Sequence, residues 1–322
     1  MKNETVAKKK VDVSSFALYI GAVLILICFT IVCKIAGKDF LTLRNIQNII
    51  SQSSCVAVVA IGASLVILTG GIDLSAGSVI GFVGIFAALF IKNGVPIAVA
   101  FLIGLAAGAL IGLVNGVIIS CGKVPAFIAT LGTMNIARGL AYLTNGGKSI
   151  TGLPVPLANI MGTKLFGSMP ISILYVIVLY ALIFFVMTYT RFGRRVYALG
   201  GNVKAAKLSG VKVKQLEVGV YVLAGVFSAS AGLMLLSRLF VADPNTGSGY
   251  EMDAIASCVI GGISLSGGKG KVLNTFVGAL ILGMLTCGLQ ILNISVHWQT
   301  IISGLVIVGA VYMDKSKERK AE

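Results

Sequence analysis

Asp73 lies in the turn Gly70–Gly77, which reads GGIDLSAG and separates two apolar runs. A carboxylate at mid-membrane costs about 2.5–3.5 kcal/mol, so it must be paired, capped or wet. Two roles fit it: lining the inner end of a polar pathway together with Ser75, or supplying, with Ser75, the oxygen that caps the helix that follows. Arg138, in TLGTMNIARGLAYLTNGG, is the one basic residue inside an apolar run. It either faces a polar interior or snorkels outward, since only about 10 Å of helix separates it from Asn145. Phe127, Thr130, Thr133 and Asn135 on the same stretch present aromatic, hydroxyl and amide groups. That set suits a neutral polyol passing through, and it suits helix-to-helix hydrogen bonding equally. Asp243 and Glu251, with Asp253, are acids of ADPNTGSGYEMDAIAS that a basic external partner could meet.

Bond-making chemistry has no residues to work with. GGKGK at 267–271 lacks the leading Gly and the Ser/Thr of a phosphate-binding loop, no G-x-S-x-G flanks Ser75 or Ser266, and one His rules out H-E-x-x-H. The six Cys contain no C-x-x-C and fall within or at the ends of apolar segments, where they read as packing residues. The expectation is a chain with no catalytic residue, no metal and no cofactor of its own. Any nucleotide hydrolysis that powers it then comes from another chain.

The elements that must position these residues are membrane spans. Hydrophobic residues make up 57% of the 322 and charged ones 11%, where a soluble domain carries about 25% charged. The composition predicts an all-α integral membrane protein, a polytopic bundle with spans near 15–35, 50–69, 75–91, 95–120, 125–144, 169–189, 216–236, 251–264, 272–293 and 297–313. The third and the eighth are short for a bilayer. Eight spans plus two re-entrant segments is therefore the alternative to ten. The first apolar run, from Phe16 to about Ile35, is too long for a signal-peptide core and reads as a retained span.

The net charge of +15 follows from topology and not from nucleic acid. With both termini cytoplasmic, 18 of the 26 Lys/Arg fall inside and seven outside. The expected organisation is a basic tail at 1–14, a membrane domain at 15–313 and a second basic tail at 314–322. Gly104, Gly108, Gly112 and Gly116 are spaced four apart and form a packing seam on one helix face. The stretch 144–168 reads as an outer loop. GGIDLSAG at 70–77 and GGISLSGG at 261–268 match at six of eight positions, as a repeat in parallel orientation or as a glycine-rich coincidence.

The longest polar interruption is RFGRRVYALGGNVKAAKLSGVKVKQ, Arg191–Gln215, with seven Lys/Arg and no acid. Asn202 can cap a short helix at Val203–Ser209, with Gly210 just past its end. So short a helix is unstable alone and must rest on something. Its charge places it on the cytoplasmic side, as a docking element for a soluble partner.

At this loop the sequence resembles a family. KAAKLSG at 204–210 is similar to the E-A-A-x-x-x-G loop by which permease subunits of ATP-binding-cassette importers engage their ATPase. TRFGRRVYALGGN (190–202), GGIDLSAGS (70–78), VPAFIATLGTM (124–134), GYEMDAIASCVIGGISLSGGKG (249–270) and GALILGMLTCGL (278–289) resemble the ribose and galactose permease branch. The resemblance runs from about Leu41 to Val311. It implies a multi-pass protein of the bacterial cytoplasmic membrane that passes a monosaccharide, with a second permease copy (a homodimer or a pair with a close relative) around one path. It also implies a cytoplasmic ATPase that binds ATP and Mg, an extracytoplasmic sugar-binding protein, and surrounding membrane lipid. On this resemblance Arg194, Arg195, Gly200, Gly201, Asn202, Lys204, Ala205, Ala206 and Gly210 face the ATPase. Asp73, Ser75, Phe127, Thr130, Thr133, Asn135 and Arg138 border the path, and Asp243 and Glu251 receive the binding protein. Lys204 departs from the motif, which expects Glu there. An ion-coupled secondary transporter of a small polar solute is the competing reading, with Asp73 its only intramembrane acid near a span end.

Overall fold

The computed structural model describes residues 13–165 and 167–319. The basic tails expected at 1–14 and 314–322 lie partly outside them. The order is α1 (Val13–Ile35), α2 (Leu43–Leu68), α3 (Ala76–Lys92), α4 (Ile97–Ser120), α5 (Ala126–Thr144), α6 (Val155–Gly162), β1 (Lys164–Leu165), β2 (Met169–Pro170), α7 (Ser172–Tyr189), α8 (Arg191–Gly201), α9 (Val203–Leu208), α10 (Val213–Leu239), α11 (Tyr250–Ile260), α12 (Val272–Ile291) and α13 (Val296–Arg319). Among the described residues, α1, α2, α4, α7, α10 and α12 are long and apolar enough to cross a membrane. The chain is a helical membrane protein, as its composition requires.

Two helices organise the bundle. α2 is buried on every side from Ser53 to Leu68, among α7, α10, α11 and α12. α10 runs beside it and also meets α3, α4 and α6. The α4–α10 contact is the most extensive between helices among the described residues, and the glycine seam makes it possible. Gly104, Gly108, Gly112 and Gly116 are all buried in α4. A Cβ on Gly112 would strike the Tyr221 carbonyl, and one on Gly225 of α10 would strike the Gly108 carbonyl. Helices surrounded by lipid gain no hydrophobic drive from meeting, so close backbone approach and dispersion must hold them.

Four features differ from the sequence reading. The stretch 144–168 contains α6, whose first turn holds Pro156 and whose Leu157 is fully buried. Pro is at home in a first helical turn because no backbone partner is lost there. An antiparallel ribbon, β1 with β2, follows it and adds a little sheet to an otherwise all-α chain. Next, α8 is helical although three of its 11 residues are Gly, because Gly193, Val196 and Leu199 turn one face onto the bundle. Finally, α11 has only 11 residues, about 16 Å. The coil before it folds back against the first turns of α3, where Gly247 (φ 84°) abuts Gly77 and Ile80. α13 also continues to Arg319, past the expected span end at 313.

The seam yields a paired test. Gly112→Val forces backbones apart and should lower stability by about 1–3 kcal/mol, read as a fall in the thermal unfolding midpoint in detergent. Gly84→Ala is the control, because a Cβ there meets nothing within 4 Å; its midpoint should stay or rise. Equal midpoints for the two variants would remove the seam from the account.

Candidate functional site

Three of the residues singled out on α5 and in the first glycine turn, Asp73, Ser75 and Thr133, join Asn115 in one buried chain of hydrogen bonds, and Thr130 lies beside it. Asp73 Oδ1 accepts from the Ser75 amide at 2.8 Å and from the Ser75 hydroxyl at 2.6 Å. Ser75 Oγ in turn accepts from Asn115 Nδ2 of α4 at 3.0 Å, and Thr133 Oγ1 donates to Asn115 Oδ1 at 2.6 Å. Thr130 Oγ1 donates to the carbonyls of Ala126 at 2.8 Å and Ile72 at 3.3 Å. All five side chains are buried. The Ser75 hydroxyl is engaged between Asp73 and Asn115, so it makes no capping bond to α3. Asp73 instead closes the turn just ahead of that helix. Asn115 was missed in the sequence. Its signal was plain, since it is the one amide inside the apolar α4.

Phe127 and Asn135 on α5 lie outside this network. Both are exposed, Phe127 by 52%, and Asn135 Nδ2 bonds only back to Leu131 O at 3.1 Å. α5 packs on α3 and α4, which leaves both outward. Arg138 turns elsewhere: its guanidinium donates to the carbonyls of Pro244 and Thr246. Tyr142 OH reaches Asn245 Oδ1 at 2.6 Å, and Ser149 Oγ reaches Asp243 Oδ2 at 2.6 Å. The C-terminal half of α5 and the chain just beyond it thus clasp the coil at 243–246. Gly81 leaves the room for it, since a Cβ there would press on Arg138 and on the same two carbonyls. Asp243 also accepts from the Asn245 amide at 2.8 Å. Glu251 is turned inward. One carboxylate oxygen accepts from the Gly249 amide at 3.3 Å, and the other is buried against Gly77 with no partner among the described residues.

The third group is at the end of the bundle where α2 stops. Asn202 caps α9 as its spacing predicts, accepting from the Ala205 amide at 3.0 Å, and Gly210 has φ 79°. Arg194, Arg195, Gly201, Lys204, Ala205 and Lys207 are exposed, while Ala206 is buried. Leu208 is 90% exposed and Val203 52%. The surface is therefore cationic with an apolar knob. Behind it, the Tyr197 phenol donates to Gly270 O at 3.0 Å; burial pushes its pKa up, so the proton stays. The Gly268 amide donates to Leu68 O at 3.0 Å, Gly267 lies against Gly70 and Gly200, and a Cβ on Gly200 would strike Leu68 O. The two glycine turns that echo each other in sequence touch at this point.

Removing the Arg138 clasp has a local readout. Arg138→Leu deletes charge-assisted hydrogen bonds worth about 1.5–3 kcal/mol each. Amides of 243–250 should then exchange with deuterium about tenfold faster or more, with those of α9 unchanged. Unaltered protection at 243–250 would contradict the clasp.

A family model described as the permease component of branched-chain amino acid transport systems matches residues 45–311. The ribose import permease protein RbsC of Bacillus subtilis is 39% identical over 311 residues, 96% of this chain and 97% of its own length. RbsC of Escherichia coli K12 is 38% identical over 322 residues, 99% of this chain and 100% of its own. The galactose/methyl galactoside import permease protein MglC of the same organism is 37% identical over 324 residues, 94% and 96% of the two chains. No solved structure matches. The chain belongs to this transport-system permease family, in the branch that holds the ribose and galactose import permeases.

Proposed function

We propose that this chain is the translocation subunit of an ATP-binding-cassette importer for a monosaccharide, ribose or a related sugar, in the bacterial cytoplasmic membrane. ATP and Mg act on a separate cytoplasmic ATPase, and an extracytoplasmic sugar-binding protein delivers the cargo. The observation that carries the reading is the α8–α9 surface: a capped, cationic, partly apolar projection whose root is wedged into the bundle. The excess of Lys/Arg supports a cytoplasmic position for this end and for both termini. Ten crossings follow from that orientation, with the coil at 243–249 and α11 together making one of them.

A second copy of the chain encloses the path, and the exposed face of α5 with Phe127 and Asn135 borders it. Asp73, Ser75, Thr130 and Thr133 act one layer behind, tying the turn at 72–75 to α4 and α5. Arg138 holds the outer coil, which presents Asp243 towards the binding protein. Glu251 is tucked behind that coil and shapes it from within. On the inner side, Lys204 and Lys207 meet acidic groups of the ATPase, and Arg194 and Arg195 extend the same field. Closure of the ATPase then moves the spans as rigid bodies through the wedge behind α9.

Liposomes holding this chain, its ATPase and its binding protein test the reading. Uptake of labelled ribose should require all three components and ATP. Uptake by this chain alone under an ion gradient would replace the importer with a secondary transporter. In the same liposomes, Lys204→Glu with Lys207→Glu should weaken ATPase assembly about tenfold or more at low salt, with less difference at high salt. Wild-type assembly by the double variant would show that charge does not guide the docking.

A further inference from the structure

A cavity of about 440 Å³ lies beneath α6, between α4, α7 and α10. Phe101 and Leu105 of α4, Leu174 and Val178 of α7, and Leu233 and Met234 of α10 form most of its wall. At its back, the hydroxyls of Tyr175 and Ser230 bond to each other and are the only polar side-chain groups among the residues that line it. Two hydroxyls already bonded to each other are too few partners for the several hydroxyls of a sugar. Leu174 and Val178 are 46% and 55% exposed, so the mouth opens sideways through the bundle wall.

Depth narrows the ligand class. Ser230 and Leu233 stand nine and six residues before the end of α10 at Leu239, roughly 9–14 Å below it. Phe101 and Leu105 stand roughly 6–12 Å below the start of α4 at Ile97. Half of a hydrocarbon core is about 15 Å. The cavity therefore occupies the acyl-chain depth of one leaflet.

A small polar recess adjoins it on the side of the helix ends, sharing Met161 and Met234 and lined also by Ser51, Ser172 and Arg238. Arg238 donates to Ser51 O at 3.1 Å. Ser172, 5% exposed, has a buried hydroxyl with no partner among the described residues. The recess, of about 20 Å³, admits a single acceptor oxygen or a water and no whole headgroup. A polar end above, an apolar slot below and a lateral mouth match the profile of a lipid.

We propose that this cavity binds one acyl chain of a glycerophospholipid, with an acceptor oxygen of its polar end at Arg238 and Ser172. The leaflet is the one at the α6 end, the outer leaflet on the topology proposed above. Bound there, the chain fills the gap between α4 and α7 and braces α10 by dispersion contact, since an acyl chain drawn from the bilayer gains no hydrophobic drive of its own.

Native mass spectrometry tests this on the full chain purified with its ATPase from membranes of phosphatidylethanolamine and phosphatidylglycerol. After detergent washing, wild type should retain about one phospholipid per chain. Leu174→Trp blocks the mouth at an exposed position that tolerates it, and should cut retention about tenfold or more. Arg238→Gln should cut it about tenfold, the loss of one charge-assisted contact. Leu24→Trp, on the exposed face of α1 and away from the cavity, should match wild type. No retained lipid in wild type, equal retention in Leu174→Trp, or a free fatty acid in place of the phospholipid would each overturn the proposal. Transport in liposomes is read separately, so an importer without this lipid remains distinguishable from a chain that is no importer.

Discussion

Three stretches of backbone meet at Gly200 with no space for a side chain between them. The last turn of α2 offers Leu68 O, the turn between α11 and α12 offers the Gly268 amide, and α8 arrives with a bare Cα. Contacts between side chains can slide or change rotamer; a contact between backbones moves only if the elements move. Whatever displaces α8 and α9 is therefore delivered to α2, the most deeply buried helix of the bundle. Tyr197, bonded to Gly270 O, also ties α8 to the turn between α11 and α12. An isolated six-residue α9 could not transmit force, but one continuous with this joint can.

The same economy governs the interior. α4 and α10 touch along glycines because lipid gives helices no hydrophobic reason to associate. Polar residues inside must then satisfy one another, and the chain from Asp73 through Ser75 and Asn115 to Thr133 does so across three elements. That chain fixes the turn at 72–75 in place while leaving the outward face of α5 free of structural duties. The carboxylate is thereby kept enclosed and hydrogen-bonded, as a polar group inside a membrane protein must be.

Much of this was legible in the sequence. Hydropathy located every long helix, the glycine spacing on α4 foretold its seam, and Asn202 with Gly210 marked both ends of α9. What was not legible depends on tertiary contact. α8 hides behind three glycines whose purpose is close approach, and α6 behind prolines that are harmless in a first turn. Asp73 admitted two local readings because its partner Ser75 is itself held by Asn115, 40 residues away. Glu251 looks like a surface acid in a polar stretch; only the fold-back of 243–249 against α3 turns it inward. Arg138 was ambiguous for the same reason, since the carbonyls it binds are more than 100 residues distant.

The joint at Gly200 is the claim on which the coupling account rests, and its neighbour supplies the control. A Cβ on Gly200 meets Leu68 O, whereas one on Gly201 meets nothing within 4 Å. The measurement is sugar-stimulated ATP hydrolysis in liposomes containing the binding protein and the ATPase, with each variant shown to co-purify with that ATPase. The account requires full stimulation for Gly201→Ala and none for an assembled Gly200→Ala. Equal stimulation of the two would mean that force reaches the spans by another route.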